Sequence, residues 1–152
     1  MNIEIVRTRD LDLLQSWREE VIANVFDCIP TDEVREANKR YYAAHIMDGT
    51  HLAVIALLDG EPVGCGAICF QQELPSPDNL SGCCAYLMNI YVRPSFRGKG
   101  VGRRLVGHLV QEAKQAECGK IYLETTAAGR LLYQSIGFRS MSDMMILKNA
   151  NC

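Results

Sequence analysis

A glycine-rich, basic turn after one apolar strand is the segment of this sequence best suited to chemistry. Residues 92–105 read VRPSFRGKGVGRRL, with Gly98, Gly100 and Gly102 at alternate positions. A helix that begins here offers unpaired backbone N–H groups and the positive end of its dipole. Because glycines let an anion's oxygens approach the backbone closely, the segment predicts a phosphate-binding cradle. The side chains that add positive potential are Arg97, Lys99, Arg103 and Arg104.

The spacing of the glycines leaves the ligand of this cradle open. A Walker A loop has four residues between its first glycine and Gly-Lys-Ser/Thr, whereas Lys99 is followed by Gly100 and no hydroxyl. The dinucleotide pattern Gly-x-Gly-x-x-Gly also differs from three glycines that are each two residues apart. A strand-to-helix turn with an exposed basic rim and no ligand is the remaining alternative.

Two motifs, together with the elements around them, resemble those of the GNAT N-acetyltransferase superfamily. Residues 97–102, RGKGVG, follow a strand that ends IYVRP and resemble the family's acetyl-CoA loop, Arg/Gln-x-x-Gly-x-Gly/Ala. Residues 132–138, LYQSIGF, resemble the family's Leu-Tyr-x-x-x-Gly-Phe and lie one helix and one strand further along. The strong matching covers roughly residues 85–138, and the order of the upstream elements agrees with it.

The resemblance implies that acetyl-CoA lies between two parallel strands, residues 87–92 and 121–125, which splay apart. The backbone of the first strand would hydrogen-bond the pantetheine arm, and the glycine-rich turn would hold the pyrophosphate. Thr125 or Thr126 would replace an asparagine that many family members carry and that this sequence lacks there. The cofactor-binding residues implied in this way are Ile90, Tyr91, Val92, Arg97, Gly98, Lys99, Gly100, Val101, Gly102, Arg103, Thr125 and Thr126.

The same resemblance implies roles in catalysis. Tyr133 would be the general acid that protonates the departing CoA thiolate, and a merely packed tyrosine is the alternative. Glu124 resembles a position where some family members carry a catalytic glutamate, and an ordinary surface carboxylate is the alternative. Glu73, Glu20 and ordered water are further candidates for the base. A backbone N–H of residues 90–92 would stabilise the oxyanion.

Hydrophobic patterning predicts the element order β-α-α-β-β-β-α-β-α-β. Asp10 and Thr31 are predicted to cap the first two helices, and Asp59-Gly60 to turn a hairpin. The last strand is expected from Phe138 onward, with residues 144–147 pairing back. This order implies an α/β fold with a mixed sheet and helices on both faces. The resemblance adds a mostly antiparallel sheet that splays between two parallel strands, in one domain, residues 1–152.

Composition limits the classes of partner. The chain has 152 residues and a formal net charge of −2, which argues against a surface that coats nucleic acid. It contains no apolar run of about 18 residues and no visible signal peptide. Its seven cysteines are odd in number and include no CxxC pair, so we expect free thiols and no metal site. These features predict a cytoplasmic protein without nucleic-acid or membrane partners.

The main functional hypothesis is transfer of the acetyl group of acetyl-CoA to a primary amine of a small molecule or peptide, by direct attack in a ternary complex. A catalytically idle acyl-CoA-binding module and an enzyme for longer acyl groups are the alternatives. Residues 10–48 contain nine acidic and four basic side chains, an excess that would suit a cationic amine. Solvated helix faces are the simpler explanation. The partners expected are the amine and, in a homodimer, a second copy of the chain.

Overall fold

The computed structural model describes residues 1–149, which form one five-stranded sheet and four α-helices. Strands β1 to β4 are antiparallel neighbours in sequence order, and β5 joins β4 in parallel, so the predicted mixed, mostly antiparallel sheet is confirmed. The elements are β1 (Ile3–Thr8), α1 (Leu11–Val25), α2 (Asp32–Met47), β2 (His51–Leu58), β3 (Glu61–Gln72), β4 (Cys83–Val92), α3 (Val101–Gln115), β5 (Lys120–Leu123) and α4 (Arg130–Ile136).

The first two helices begin at the caps that the sequence predicts. The Leu13 N–H donates to the Asp10 carboxylate over 3.1 Å, and the Val34 N–H donates to the Thr31 hydroxyl over 3.2 Å. Each bond satisfies a backbone donor that the first helical turn leaves unpaired. The β2–β3 hairpin turns at Asp59-Gly60, where both residues have positive φ.

Helices cover both faces of the sheet, as predicted. On one face, Trp17 and Val21 of α1 pack with the buried side chain of Tyr91 on β4. On the other face, α3 presents a stripe of side chains with no solvent exposure, among them Leu105 and Leu109. The stripe repeats every three or four residues, so one face of α3 lies along the sheet. The sheet positions that it covers include Val54, Ala56, Ile68, Ala85 and Leu87.

Truncation of Leu109 tests this packing. Leu109→Ala removes a fully buried side chain between α3 and the sheet. We expect it to lower the free energy of unfolding by about 2–5 kcal/mol, measured by urea denaturation. The control is Leu131→Ala on α4, where the side chain is 77% exposed and the expected change stays within about 0.5 kcal/mol. Equal stability of the two variants would contradict this description of the core.

The prediction of a final strand is wrong. Residues 137–149 contain no strand, and Met145 and Leu147 are almost fully exposed. A strand forms only where a neighbouring strand pairs its backbone groups. Within residues 1–149, the outer edge of β5 is unpaired, and residues 138–141 and Met144 line a cavity beside residues 121–125 without pairing with that strand.

The expectation that every cysteine is free is also wrong. Cys83 and Cys118 form a disulfide, with their Cα atoms 4.5 Å apart. The pairing follows from the parallel register of β4 and β5, which aligns Cys84 with Lys120 and so brings the residues around them together. Cys65 and Cys84 are free and buried, whereas Cys28 is free and exposed. Cys152 lies outside the described residues.

None of the helices within residues 1–149 is both long enough and apolar enough to cross a membrane.

Candidate active site

The sheet opens between β4 and β5. Their parallel ladder pairs residues 84–87 with residues 120–123 and stops at Leu87–Leu123, but β4 continues for five more residues. The N–H of Arg93 donates to the Val63 carbonyl of β3. Because successive residues of a strand point their backbone groups to opposite edges, those of Val92 point toward the opening. No strand of the described chain covers this edge of β4, so its backbone groups can hydrogen-bond an extended ligand; the Val92 carbonyl already accepts one bond, from the Arg97 side chain.

A β-bulge shapes β4 at the start of this opening. Asn89 has a φ of 56°, and the register between β3 and β4 shifts between Cys65 and Ala67. Arg18 of α1 donates to the Asn89 side-chain oxygen over 2.9 Å, and the Cys65 thiol donates to the Asn89 carbonyl over 3.3 Å. These two hydrogen bonds hold Asn89 in the left-handed conformation. Backbone strain of this kind clusters at functional sites.

The turn before α3 has the geometry of an anion cradle. Gly98 and Gly100 have φ of 77° and 87°, and a Cβ atom on either would have no neighbour within 4 Å. The turn is therefore open on the side that the missing side chains would occupy. The N–H of Arg104 is the first in α3 to pair within the helix, with the Gly100 carbonyl, so the N–H groups of residues 101–103 remain available. This donor set fits a diphosphate.

The basic side chains of this region are less concentrated than the sequence suggests. Arg97 and Lys99 are exposed beside the turn, where Arg97 donates from Nε to the Val92 carbonyl over 2.8 Å. Arg103 donates to the Ser135 hydroxyl of α4 over 2.6 Å. Arg104 points away and donates to the Ile3 carbonyl of β1 over 3.1 Å. Two of the four cations therefore lie at the turn, one lies between the helices and one is bound elsewhere.

Gly102 has a packing role that the sequence does not indicate. A Cβ atom there would lie 3.2 Å from Cδ2 of Leu132, so the glycine lets α4 approach the first turn of α3. Substitution at Gly102 would disturb this contact as well as the cradle. Gly100, which has open space around it, is the cleaner position at which to test anion binding.

If the turn holds the CoA that the resemblance implies, its two exposed cations, Arg97 and Lys99, should make the affinity for CoA dependent on salt. We expect the dissociation constant of CoA to rise roughly threefold or more between low salt and 1 M salt, where the Debye length is about 3 Å. Lys99→Ala should reduce this dependence, whereas Lys114→Ala, in the last turn of α3, should leave it unchanged. Calorimetry measures both. An affinity that does not respond to salt would show that the backbone alone binds the phosphates.

Tyr133 lies on the α3 side of the sheet. Its ring packs against the core under α3 and meets the Phe138 ring edge-on at 5.9 Å between centroids. Burial raises the pKa of the phenol above its ordinary value. The phenol is therefore protonated at neutral pH, which is the state that a general acid requires.

Tyr133, Glu124 and Thr125 line one cavity of about 930 Å³ at the end of β5. The volume lies in the range of small-molecule pockets. The Thr125 hydroxyl donates to the Thr126 carbonyl over 2.9 Å, and the Thr126 hydroxyl accepts from the Gly129 N–H over 3.4 Å. The hydroxyls proposed to replace the family's asparagine thus also organise the turn before α4.

The other candidate bases are already paired with cations. Glu20 accepts two hydrogen bonds from Arg93, each 3.0 Å long. Glu73 pairs with Lys120 over 3.2 Å. Within residues 1–149, no lysine or arginine lies within ion-pair distance of Glu124. Of the three carboxylates, Glu124 is therefore the one without an ion pair among the described residues, although Arg130 and Arg139 line the same cavity.

Sequence reasoning missed two tyrosines beside Glu124. Tyr86 of β4 and Tyr122 of β5 are direct partners in the parallel ladder, with ring centroids 5.0 Å apart. The spacing from Tyr122 to Glu124 does indicate one face of a strand. The pairing with Tyr86 depends on the register between strands, for which the sequence carries no local signal.

A sheet that opens between parallel strands, a glycine-rich turn with the geometry of an anion cradle and the partly buried Tyr133 are the features that the resemblance predicts for this class of protein. The profile of the Acetyltransferase (GNAT) family matches residues 14–138. The chain belongs to this family.

Comparison with individual proteins gives the same class. A predicted acetyltransferase from Clostridium acetobutylicum, crystallised with acetyl-CoA, is 25% identical and superposes with a TM-score of 0.86 over 97% of this chain and 96% of that one. An IAA acetyltransferase from Azospirillum brasilense is 32% identical over 62% of each chain. Glucosamine 6-phosphate N-acetyltransferase from Trypanosoma brucei brucei is 26% identical over 58% of each chain. The chain thus spans about three fifths of the lengths of these two curated relatives.

Proposed function

We propose that residues 1–152 act as one N-acetyltransferase domain, which transfers the acetyl group of acetyl-CoA to a primary amine in a ternary complex. The observation that carries this proposal is the combination of the open β4 edge with the cradle at residues 97–102. The edge suits the pantetheine arm, and the cradle suits the pyrophosphate. Membership of the family supports the choice of acetyl-CoA as donor.

In this proposal the amine nitrogen forms a bond to the thioester carbonyl carbon, and the carbon–sulfur bond breaks. Tyr133 gives its proton to the departing sulfur, so CoA leaves as a thiol. The amine attacks in its neutral form and loses a proton to Glu124, directly or through water. Glu124 then gives that proton to solvent, and solvent returns a proton to the phenolate of Tyr133. A backbone N–H of the Ile90–Val92 segment stabilises the oxyanion that forms during attack.

The experiment is an amine panel with acetyl-CoA as donor. Mass spectrometry should detect the acetylated amine, because the chain's seven cysteines would interfere with a thiol reagent for free CoA. We expect an acetylated product with at least one primary amine, and none without protein. Tight binding of acetyl-CoA without any product across small amines and peptides would favour the idle acyl-CoA-binding module.

A further inference from the structure

We propose that Arg18 is a positioning residue for the donor: through Asn89, its guanidinium holds residues 90–92 of β4 in the conformation that binds acetyl-CoA. This inference rests on the proposed function, because it deepens the account of the same site. It gives a role to a half-buried arginine of α1 that belongs neither to the cradle nor to the proposed catalytic groups.

The first step of the argument concerns the part of β4 that the sheet does not support. The ladder with β3 leaves Asn89 and Ile90 without paired residues, because the two lie opposite the single residue Gly66. The parallel ladder with β5 has already stopped at Leu87. Two consecutive residues of β4 are therefore paired with neither neighbouring strand, and the first of them has a φ of 56°. Side chains must fix the backbone that the donor would meet.

The second step concerns the hydrogen bonds that hold Asn89. Arg18 donates from Nη1 to the Asn89 side-chain oxygen over 2.9 Å, and the Cys65 thiol donates to the Asn89 carbonyl over 3.3 Å. The bond from Arg18 is the stronger of the two, because a guanidinium is charged and a thiol is a weak donor. Among the described residues, Arg18 has no carboxylate within ion-pair distance, so no ion pair draws it away from Asn89.

The third step concerns the other end of the segment, which α1 also fixes. Arg93 donates to both carboxylate oxygens of Glu20 over 3.0 Å, and its guanidinium lies 4.6 Å from the centre of the Trp17 ring. Tyr91 is buried and meets the Trp17 ring edge-on at 6.4 Å between centroids. Each residue turns a helix by about 100°, so Arg18 and Glu20 lie on opposite sides of the stripe that contains Trp17. With this end fixed, the bond from Arg18 controls the freedom that remains at the bulge.

The fourth step concerns the direction of the backbone groups. Ile90 and Val92 pack with the core under α3, whereas Tyr91 packs with α1, so this part of β4 keeps the alternation of a regular strand. A change of φ at Asn89 would rotate the backbone groups that follow it away from the opening. A donor that binds such a loosened segment would have to order it, and the free energy of ordering would be lost from its affinity.

The experiment is a double-mutant cycle on CoA affinity, measured by calorimetry. Arg18→Met removes the guanidinium and keeps an unbranched side chain, and we expect it to raise the dissociation constant of CoA about fivefold. Asn89→Gly removes the acceptor of the hydrogen bond, while glycine adopts a φ of 56° without strain. In the Asn89→Gly background, Arg18→Met should therefore change the dissociation constant by less than about twofold.

Two further comparisons separate positioning from a general loss of stability. Asn89→Ala removes the same acceptor but opposes the left-handed φ, so it should bind CoA at least about threefold more weakly than Asn89→Gly. Arg40→Met, at an exposed position of α2, is the matched control and should bind CoA like the parent. NMR of the protein without CoA should show that Arg18→Met, but not Arg40→Met, shifts the Cα resonance of Asn89 and the amide resonances of residues 90–92.

Three results would overturn the role of Arg18: an affinity that Arg18→Met leaves unchanged, an equal loss in the parent and in the Asn89→Gly background, or equal affinities of Asn89→Ala and Asn89→Gly. Failure of CoA to bind the parent protein would instead contradict the proposed function. The NMR comparison needs no CoA, and unchanged resonances of residues 89–92 in Arg18→Met would overturn the role on their own. The two failures are therefore distinguishable.

Discussion

Replacement of Tyr133 by phenylalanine is expected to lower kcat by about 10²–10⁴-fold, the usual contribution of a general acid. The change removes only the hydroxyl, and the ring keeps its contact with Phe138 at 5.9 Å. The KM for acetyl-CoA should change little, because the ring still fills its place beside the donor. Initial rates at saturating amine, with acetylated product measured by mass spectrometry, give both parameters.

The matched control is Tyr42→Phe. Tyr42 is buried between α2 and the sheet with Leu14 and Ala53, away from α4. Loss of its hydroxyl should leave kcat within about twofold of the parent value. The change affects only local packing around Tyr42, which lies outside the proposed active site. A folded Tyr133→Phe variant that is as active as this control would show that water or another group protonates the thiolate.

Substitution of Gly100 by valine is expected to weaken CoA binding by more than about tenfold, with two physical causes. A branched side chain at a φ of 87° strains the backbone by about 1–3 kcal/mol. It also fills the open side of the cradle, where phosphate oxygens must approach the N–H groups of α3. Calorimetric titration of CoA onto the folded variant measures the loss.

Gly60→Val separates these two causes. Gly60 lies in the β2–β3 turn with a φ of 84° and open space around it, so valine there brings the same strain without touching the cradle. Both variants should lose similar stability, but the Gly60 variant should bind CoA like the parent. If Gly100→Val retained the parent's affinity, the cradle would not be where the pyrophosphate binds.

The parts of the fold that the sequence predicts well are those encoded over a few residues. Asp10 and Thr31 cap helices because a side-chain oxygen three residues from an unpaired N–H suffices. Gly137 ends α4 with a φ of 119°, a conformation that glycine adopts without strain. The cradle belongs to this group, because its glycines and the start of α3 lie within one turn of each other.

The parts that the sequence predicts poorly depend on contacts between distant segments. Arg103 and Arg104 are adjacent arginines with the same neighbours in sequence. The guanidinium of Arg104 nevertheless reaches β1, because consecutive residues of a helix point in different directions. The pairing of Tyr86 with Tyr122 and the Cys83–Cys118 bond follow from strand register. Residues 144–147 have the apolar composition of a strand, but strand formation needs a partner edge, which composition does not specify.

The contacts that join the start of α3 to α4 have a consequence for which donors can react. Leu132 rests against Gly102, and Ser135 accepts a hydrogen bond from Arg103, so the cradle and Tyr133 are fixed relative to each other by two packed helices. In the proposed complex, the two helices therefore set the distance between the bound diphosphate and the phenol of Tyr133. A thioester whose arm is shorter or longer than pantetheine would place its sulfur too near to or too far from that phenol. Such a donor should lose kcat even when its diphosphate is bound normally.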